Sequence, residues 1–142
     1  MKRMIFLNLP VKDVATSTAF YTGLGFAVNE MFSDEQSTSI VISDQIVVML
    51  LVEDRFRDFI TGELGSPAQA TSAIYCLSAE SPREVDTLVS KALANGGKPW
   101  KDLMQEGPMY GHSFADPDGH VWEVLHMDLS QVEPQLWGAT SN

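Results

Sequence analysis

Cysteine is almost missing from this chain, and that absence is the first of several that narrow its function. One thiol, Cys76, in 142 residues excludes an internal disulfide framework. It lies in an apolar run, so the expectation is a small buried hydrophobe. Histidine is scarce as well: His112, His120 and His126 are the whole supply. Basic residues are outnumbered, 9 Lys and Arg against 19 Asp and Glu, for a formal charge of −10. That balance argues against nucleic acid or an anionic membrane surface as a partner. It suits a cationic ligand, although solubility is the plainer reason for it. No apolar run approaches the roughly 20 residues of a membrane span. Met1 to Pro10 has a basic start but too short an apolar stretch for a signal peptide, so the expected location is cytoplasmic. Nucleophile motifs, phosphate loops and dinucleotide fingerprints are also missing; Gly23-Leu24-Gly25 reads as helix termination.

What is present is an ordinary globular composition, 44% apolar and 20% charged, long enough for one compact domain or two small halves sharing a core. Met4 to Leu9 is a short apolar run closed by Pro10. Asp13 is a candidate N-cap for a helix reaching about Leu24, with Ala15, Ala19, Phe20 and Leu24 at helical spacing. Phe26 to Met31 reads as a strand, and Thr38–Ile42 with Ile46–Val52 as a hairpin. Phe56, Phe59 and Ile60 give Glu53 to Gly62 the pattern of a short amphipathic helix with one face to bury. After a Gly-, Ser- and Pro-rich linker, Ser72 to Ala79 is a strand. Ser81-Pro82-Arg83-Glu84 is a capping box with Pro at the first helical position, and Val85, Leu88, Val89, Ala92 and Leu93 follow at helical spacing. Asn95-Gly96-Gly97 stops that helix, and Pro99 to Leu103 reads as a short strand.

The order strand-helix-strand-strand-strand therefore occurs twice. Residues 1–62 form a first module plus a short connecting helix, 63–71 a linker, 72–128 a second module and 129–142 a C-terminal tail, all within one structural domain. Registering the copies sets Phe6 against Ile74, Asn8 against Cys76, Asp13 against Ser81 and Val48 against Glu123.

The stretch Tyr110 to Leu125 closes the second copy. Asp116-Pro117-Asp118-Gly119 supplies turn chemistry between two strand-forming runs. Glu123 is the one carboxylate within the second run, costly there unless it is paired or turned to solvent or a cavity. The motif Asp116-Pro-Asp-Gly-His120-x-x-Glu123 resembles the closing hairpin of the vicinal oxygen chelate superfamily, which includes glyoxalase I, extradiol dioxygenases, and fosfomycin- and bleomycin-resistance proteins. The resemblance covers Met4 to about Asp128. It implies an α+β fold, two tandem βαβββ modules whose curved mixed sheets enclose a cavity.

In metal-dependent members of that superfamily, the resemblance implies a divalent ion held by residues of the first and last strand of each module. The matching positions here are Phe6, about Val48, Ile74 and Glu123, and only Glu123 is a ligand type. The expectation is therefore no metal and no other cofactor, with a divalent metal through Glu123 as the alternative. Glu123 admits two readings: a general base or counter-charge for a ligand, or a carboxylate hydrogen-bonded to backbone, Asn8, Tyr110 or His112. Parity along the strand puts His120, Trp122, Val124 and His126 on one face and Glu123 on the other. His112 lies behind Gln105-Glu106-Gly107-Pro108, a loop placed to cover a cavity mouth. The candidate catalytic residues are thus Glu123 and His112, and the candidate ligand-binding residues Asn8, Tyr110, Met109, Trp100 and Met49. Two functions remain open. One is a glyoxalase/bleomycin-resistance-like protein binding a small cationic or apolar molecule in a metal-free cavity. The other is a metal-dependent lyase or isomerase resembling lactoylglutathione lyase (glyoxalase I). A homodimer is expected, because half-sheet edges and the Phe56, Phe59, Ile60 face need cover.

Overall fold

The computed structural model describes residues 1–131. The first module contains β1 (Ile5–Val11), α1 (Val14–Gly23), β2 (Ala27–Asn29), β3 (Ser37–Ser43) and β4 (Ile46–Val52). Its sheet runs β1-β4-β3-β2, with β1 parallel to β4 and the other pairs antiparallel. A short helix, α2 (Glu53–Arg57), and an irregular linker lead to the second module. That module contains β5 (Ile74–Ser78), α3 (Pro82–Ala94), β6 (Lys98–Pro99), β7 (Met104–Glu106), β8 (Met109–Ala115) and β9 (Val121–Met127). Its sheet runs β5-β9-β8-β6, with β5 parallel to β9 and the small β7 added to β8. The expected α+β fold of two βαβββ modules is the observed one, its sheets curved rather than closed.

The helix starts follow from their caps. Asp13 Oδ1 accepts from the backbone N–H of Ala15 at 3.0 Å, and Ser81 Oγ accepts from that of Glu84 at 3.1 Å. Val85, Val89 and Ala92 form the buried stripe of α3. On α1 the buried residues are Ser17, Phe20 and Tyr21.

Several local expectations are corrected. Pro10 lies inside β1 rather than ending it, which its place on an edge strand permits, because no ladder bond is required of the missing N–H. The strand expected over Phe26–Met31 keeps only three residues, and Glu30–Phe32 form a 3-10 turn. The helix expected over Glu53–Gly62 ends at Arg57; Phe59 stays exposed, with the Arg55 guanidinium 4.5 Å from its ring centroid. The loop over Gln105–Pro108 is instead a hairpin, with Gln105 and Glu106 paired to Tyr110 and Met109. Cys76 is exposed, not buried. Of the expected tail 129–142, the part from residue 132 onward lies outside the described residues.

One core serves both modules. Leu9, Val11, Ile40, Val48 and Leu50 of the first sheet join Phe20 and Tyr21 of α1, Val85 and Val89 of α3, and Phe114, Trp122 and Val124 of the second sheet. Phe20 packs against Phe114 at 5.9 Å between centroids and Tyr21 against Trp122 at 6.0 Å, so α1 touches both sheets. At the same junction Tyr21 Oη donates to Asp116 Oδ2 at 2.6 Å and accepts from Trp122 Nε1 at 3.0 Å. Asp116 Oδ1 accepts from the backbone N–H groups of Asp118 and His120, each at 2.9 Å. A buried carboxylate this well bonded avoids the several kcal/mol that an unpaired one would cost. Burial first, and the negative Asp116 second, push the Tyr21 phenol well above its ordinary pKa.

Candidate functional site

Because α1 and α3 pack on one side of the sheets, strand parity decides which residues face the other side. In the second module Cys76 pairs with Glu123, and Glu123 with Ser113. In the first module Asn8 pairs with Met49, and Met49 with Ser39. The structural repeat is therefore Asn8, Met49 and Ser39 against Cys76, Glu123 and Ser113. The sequence registration that set Val48 against Glu123 was one residue off: Met49 is the counterpart, and Val48 is buried in the shared core. Trp122 and Val124 point into that core, leaving Glu123 on the open concave face, as parity requires. Glu123 is exposed there rather than sealed within the strand.

The four positions that the resemblance implies as metal ligands are thus, by strand register, Phe6, Met49, Ile74 and Glu123. One carboxylate, a thioether and two hydrocarbons do not make a donor set for a divalent ion. Among the described residues no group of three or more His, Cys, Asp or Glu side chains is placed to hold a metal. The histidines are dispersed: a ring nitrogen of His120 lies 2.8 Å from the Pro10 carbonyl oxygen, and one of His126 lies 3.0 Å from that of Ala79. His112 pairs with Val124 and shares the parity of Phe114, the α3 side of β8.

Glu123 borders a cavity of about 400 Å³ together with Cys76, Lys101, Asp102, Met104, Ser113 and Leu125. His112 and Val124 border it too, from the opposite strand parity. The Lys101 backbone N–H donates to Ser113 Oγ at 3.0 Å, which fixes the 100–103 segment at the rim. Partial burial, and then the charge of Glu123, raise the Cys76 thiol, so the sulfur is a neutral, poorly nucleophilic group beside a carboxylate. The cavity's border thus carries two carboxylates able to accept charge-assisted hydrogen bonds, Glu123 and Asp102, with Lys101, a thiol, a hydroxyl and apolar surface beside them.

The other candidates lie elsewhere. Tyr110 Oη donates to Asp86 Oδ1 on α3 at 2.7 Å, and that bond raises its pKa above the ordinary value. Met109 pairs with Met127 at the strand start, and Trp100 is exposed; neither borders the Glu123 cavity. Met49 is half-buried on the first concave face, and Asn8 borders a separate cavity beneath the linker. Sequence reasoning missed Cys76, Lys101 and Ser113. The registration of Asn8 with Cys76 held the signal for the thiol, which sits two residues beyond Ile74 on the same face.

Two βαβββ modules sharing one core, each with its helix packed on one side of a curved sheet, define the structural class. The chain belongs to the glyoxalase/bleomycin resistance protein/dioxygenase superfamily, whose family model matches residues 3–124. Among solved structures, a hypothetical protein from S. aureus is 28% identical, covers 89% of this chain and 94% of its own, and superposes with a TM-score of 0.74. A lactoylglutathione lyase from Agrobacterium tumefaciens is 17% identical, covers 91% and 96%, and has a TM-score of 0.65. The fosfomycin resistance protein FosX from Listeria monocytogenes is 18% identical, covers 92% and 98%, and has a TM-score of 0.65. The last two likenesses are of fold. No curated protein matches the chain. No helix among the described residues is long and apolar enough to cross a membrane.

Proposed function

We propose that this protein binds a small organic molecule, without a metal, on the concave face of its second module, with Glu123 as the ligand's main polar contact. The observation that supports this reading is the grouping of Glu123, Cys76 and Ser113 at one cavity of about 400 Å³ that Met104 and Leu125 line with apolar surface. A ligand suited to it brings a positive charge or an N–H or O–H donor to Glu123 and apolar atoms to Met104 and Leu125. His112 borders the same cavity from the opposite strand parity, and this reading assigns it no proton transfer. Glu123 would also serve as a general base if the ligand carried an acidic proton, which is the point where binding becomes catalysis. The alternative of a metal-dependent lyase has to find ligands away from Phe6, Met49 and Ile74.

A homodimer belongs to the same proposal. β1 and β5 are both edge strands, and Phe6 at 55% and Ile74 at 54% are exposed beside those edges. Unpaired edges with exposed apolar residues call for cover, and a second copy supplies it. Sedimentation equilibrium at micromolar concentration should give twice 15.6 kDa; a single 15.6 kDa species would overturn the dimer. Calorimetric titration with Ni²⁺, Zn²⁺, Mn²⁺ and Fe²⁺ tests the metal-free reading. The expected result is no submicromolar one-to-one isotherm; such an isotherm, abolished by Glu123→Ala, would reverse the proposal.

A further inference from the structure

The second cavity, about 290 Å³, lies at the seam between the modules, roofed by the linker, with Pro10, Phe56, Leu64 and Tyr75 among its walls. Its roof is held close. Gly119 has φ +101, and a Cβ there would lie 2.8 Å from the backbone N and Cα of Ala68, so the linker rests on the bare backbone of the closing turn. Polar side chains at its border include the exposed Asn8, Ser66, Thr71 and Ser72, and the buried one is His120, only 7% exposed.

The chemistry of that ring is fixed by its partner. Nε2 lies 2.8 Å from the Pro10 carbonyl oxygen, and a carbonyl only accepts, so Nε2 carries the hydrogen. In the neutral ring Nδ1 is then a lone-pair acceptor. It has no partner among the described residues, whose only sealed and unbonded side-chain atom is the Ser17 hydroxyl oxygen. A nine-tenths-buried imidazole on the wall of a mostly apolar cavity therefore keeps one ring acceptor unbonded and not sealed off. The volume is near the lower end for ligand pockets, room for a single ring.

We propose that this inter-module cavity is a second binding site, for a small one-ring apolar molecule that carries one N–H or O–H donor, a phenol or an aromatic amine, held by His120 Nδ1. Asn8, at the cavity's margin, adds a side-chain amide whose bond among the described residues is a long one, 3.4 Å, to the carbonyl of Phe6 in its own strand. The site is separate from the cavity at Glu123 and does not depend on what that cavity binds. Its occupant touches both modules, so binding also strengthens their docking.

The test compares 4-methylphenol with 4-methylanisole, which has nearly the same shape but no donor, by NMR of ¹⁵N-labelled protein. The phenol should shift the His120 Nδ1 resonance and the amides of residues 64–73, and the ether should bind at least about tenfold more weakly, the loss of one good hydrogen bond. His120→Gln separates support from binding: its amide N–H can meet the Pro10 carbonyl, while its one acceptor, the amide oxygen, does not stand at the Nδ1 position. That variant should keep the parent's near-ultraviolet circular dichroism and bind the phenol no better than the parent binds the ether. Equal binding of the two probes, no binding of either, or shifts centred on Cys76, Lys101 and Glu123 would overturn the proposal. The first readout uses only the parent protein, so the outcome stands even if the variant does not fold.

Discussion

Asp116 and Glu123 belong to the same hairpin and meet opposite environments. Asp116 is 1% exposed and accepts hydrogen bonds from the Tyr21 hydroxyl and two backbone N–H groups. Glu123 is exposed on a concave face and makes no hydrogen bond or ion pair through its side chain among the described residues. The same side-chain chemistry is used once to join two modules and once left open. Carboxylates whose partners come from within the chain stabilise it; a carboxylate without them is free to recognise something else.

The contrast is broken most strongly at Asp116. Asp116→Ala leaves the Tyr21 hydroxyl and two N–H groups without their acceptor in a buried place, and should cost on the order of 4 kcal/mol in urea unfolding. Tyr21→Phe strips a donor from Asp116 and an acceptor from Trp122, and should cost about 2 kcal/mol. It also sharpens a pH dependence. In the folded chain Tyr21 titrates well above its ordinary value, so the unfolded chain ionises first. The stability this provides is complete below about pH 10 and is lost as pH rises from there toward the folded value. The variant should show a shallower alkaline decline; an unchanged slope would remove Tyr21 from the account. Ser17→Ala, which deletes a sealed hydroxyl without a partner, should raise stability by about 1 kcal/mol. Glu123→Gln should move stability by less than about 0.5 kcal/mol, because no bond within the chain depends on it. A loss near that of Tyr21→Phe would mean that Glu123 is structural after all.

Much of this was legible where local chemistry decides. The Asp13 and Ser81 caps, the stripe of α3 and the Asp116–Gly119 turn are set by neighbours within a few residues, and each lies where the sequence puts it. The parity of Glu123 was readable because Trp122 and Val124 flank it with bulky apolar groups. The parity of β4 was not: Ile46 to Val52 is apolar at every position, a strand covered on both faces, so nothing in it distinguishes Val48 from Met49. Pro10 misled because tolerance of proline depends on which strand is the edge, a fact of topology. Asp116 read only as a turn residue because its Tyr21 partner lies 95 residues away in sequence. Cys76 read as core because an edge strand exposes one parity of a sequence that looks apolar throughout.

The central claim is that the open carboxylate is the one that recognises a ligand. A library of small organic cations and hydrogen-bond donors screened by ¹⁵N NMR would supply a probe whose shifts map to Cys76, Ser113 and Glu123. The decisive measurement is the dissociation constant of that probe for the parent and for Glu123→Gln. Loss of a charge-assisted hydrogen bond is worth about 1.5–3 kcal/mol, so the variant should bind roughly ten- to a hundredfold more weakly while unfolding at the same urea concentration. Equal affinities, with the probe still seated on this face, would contradict the account.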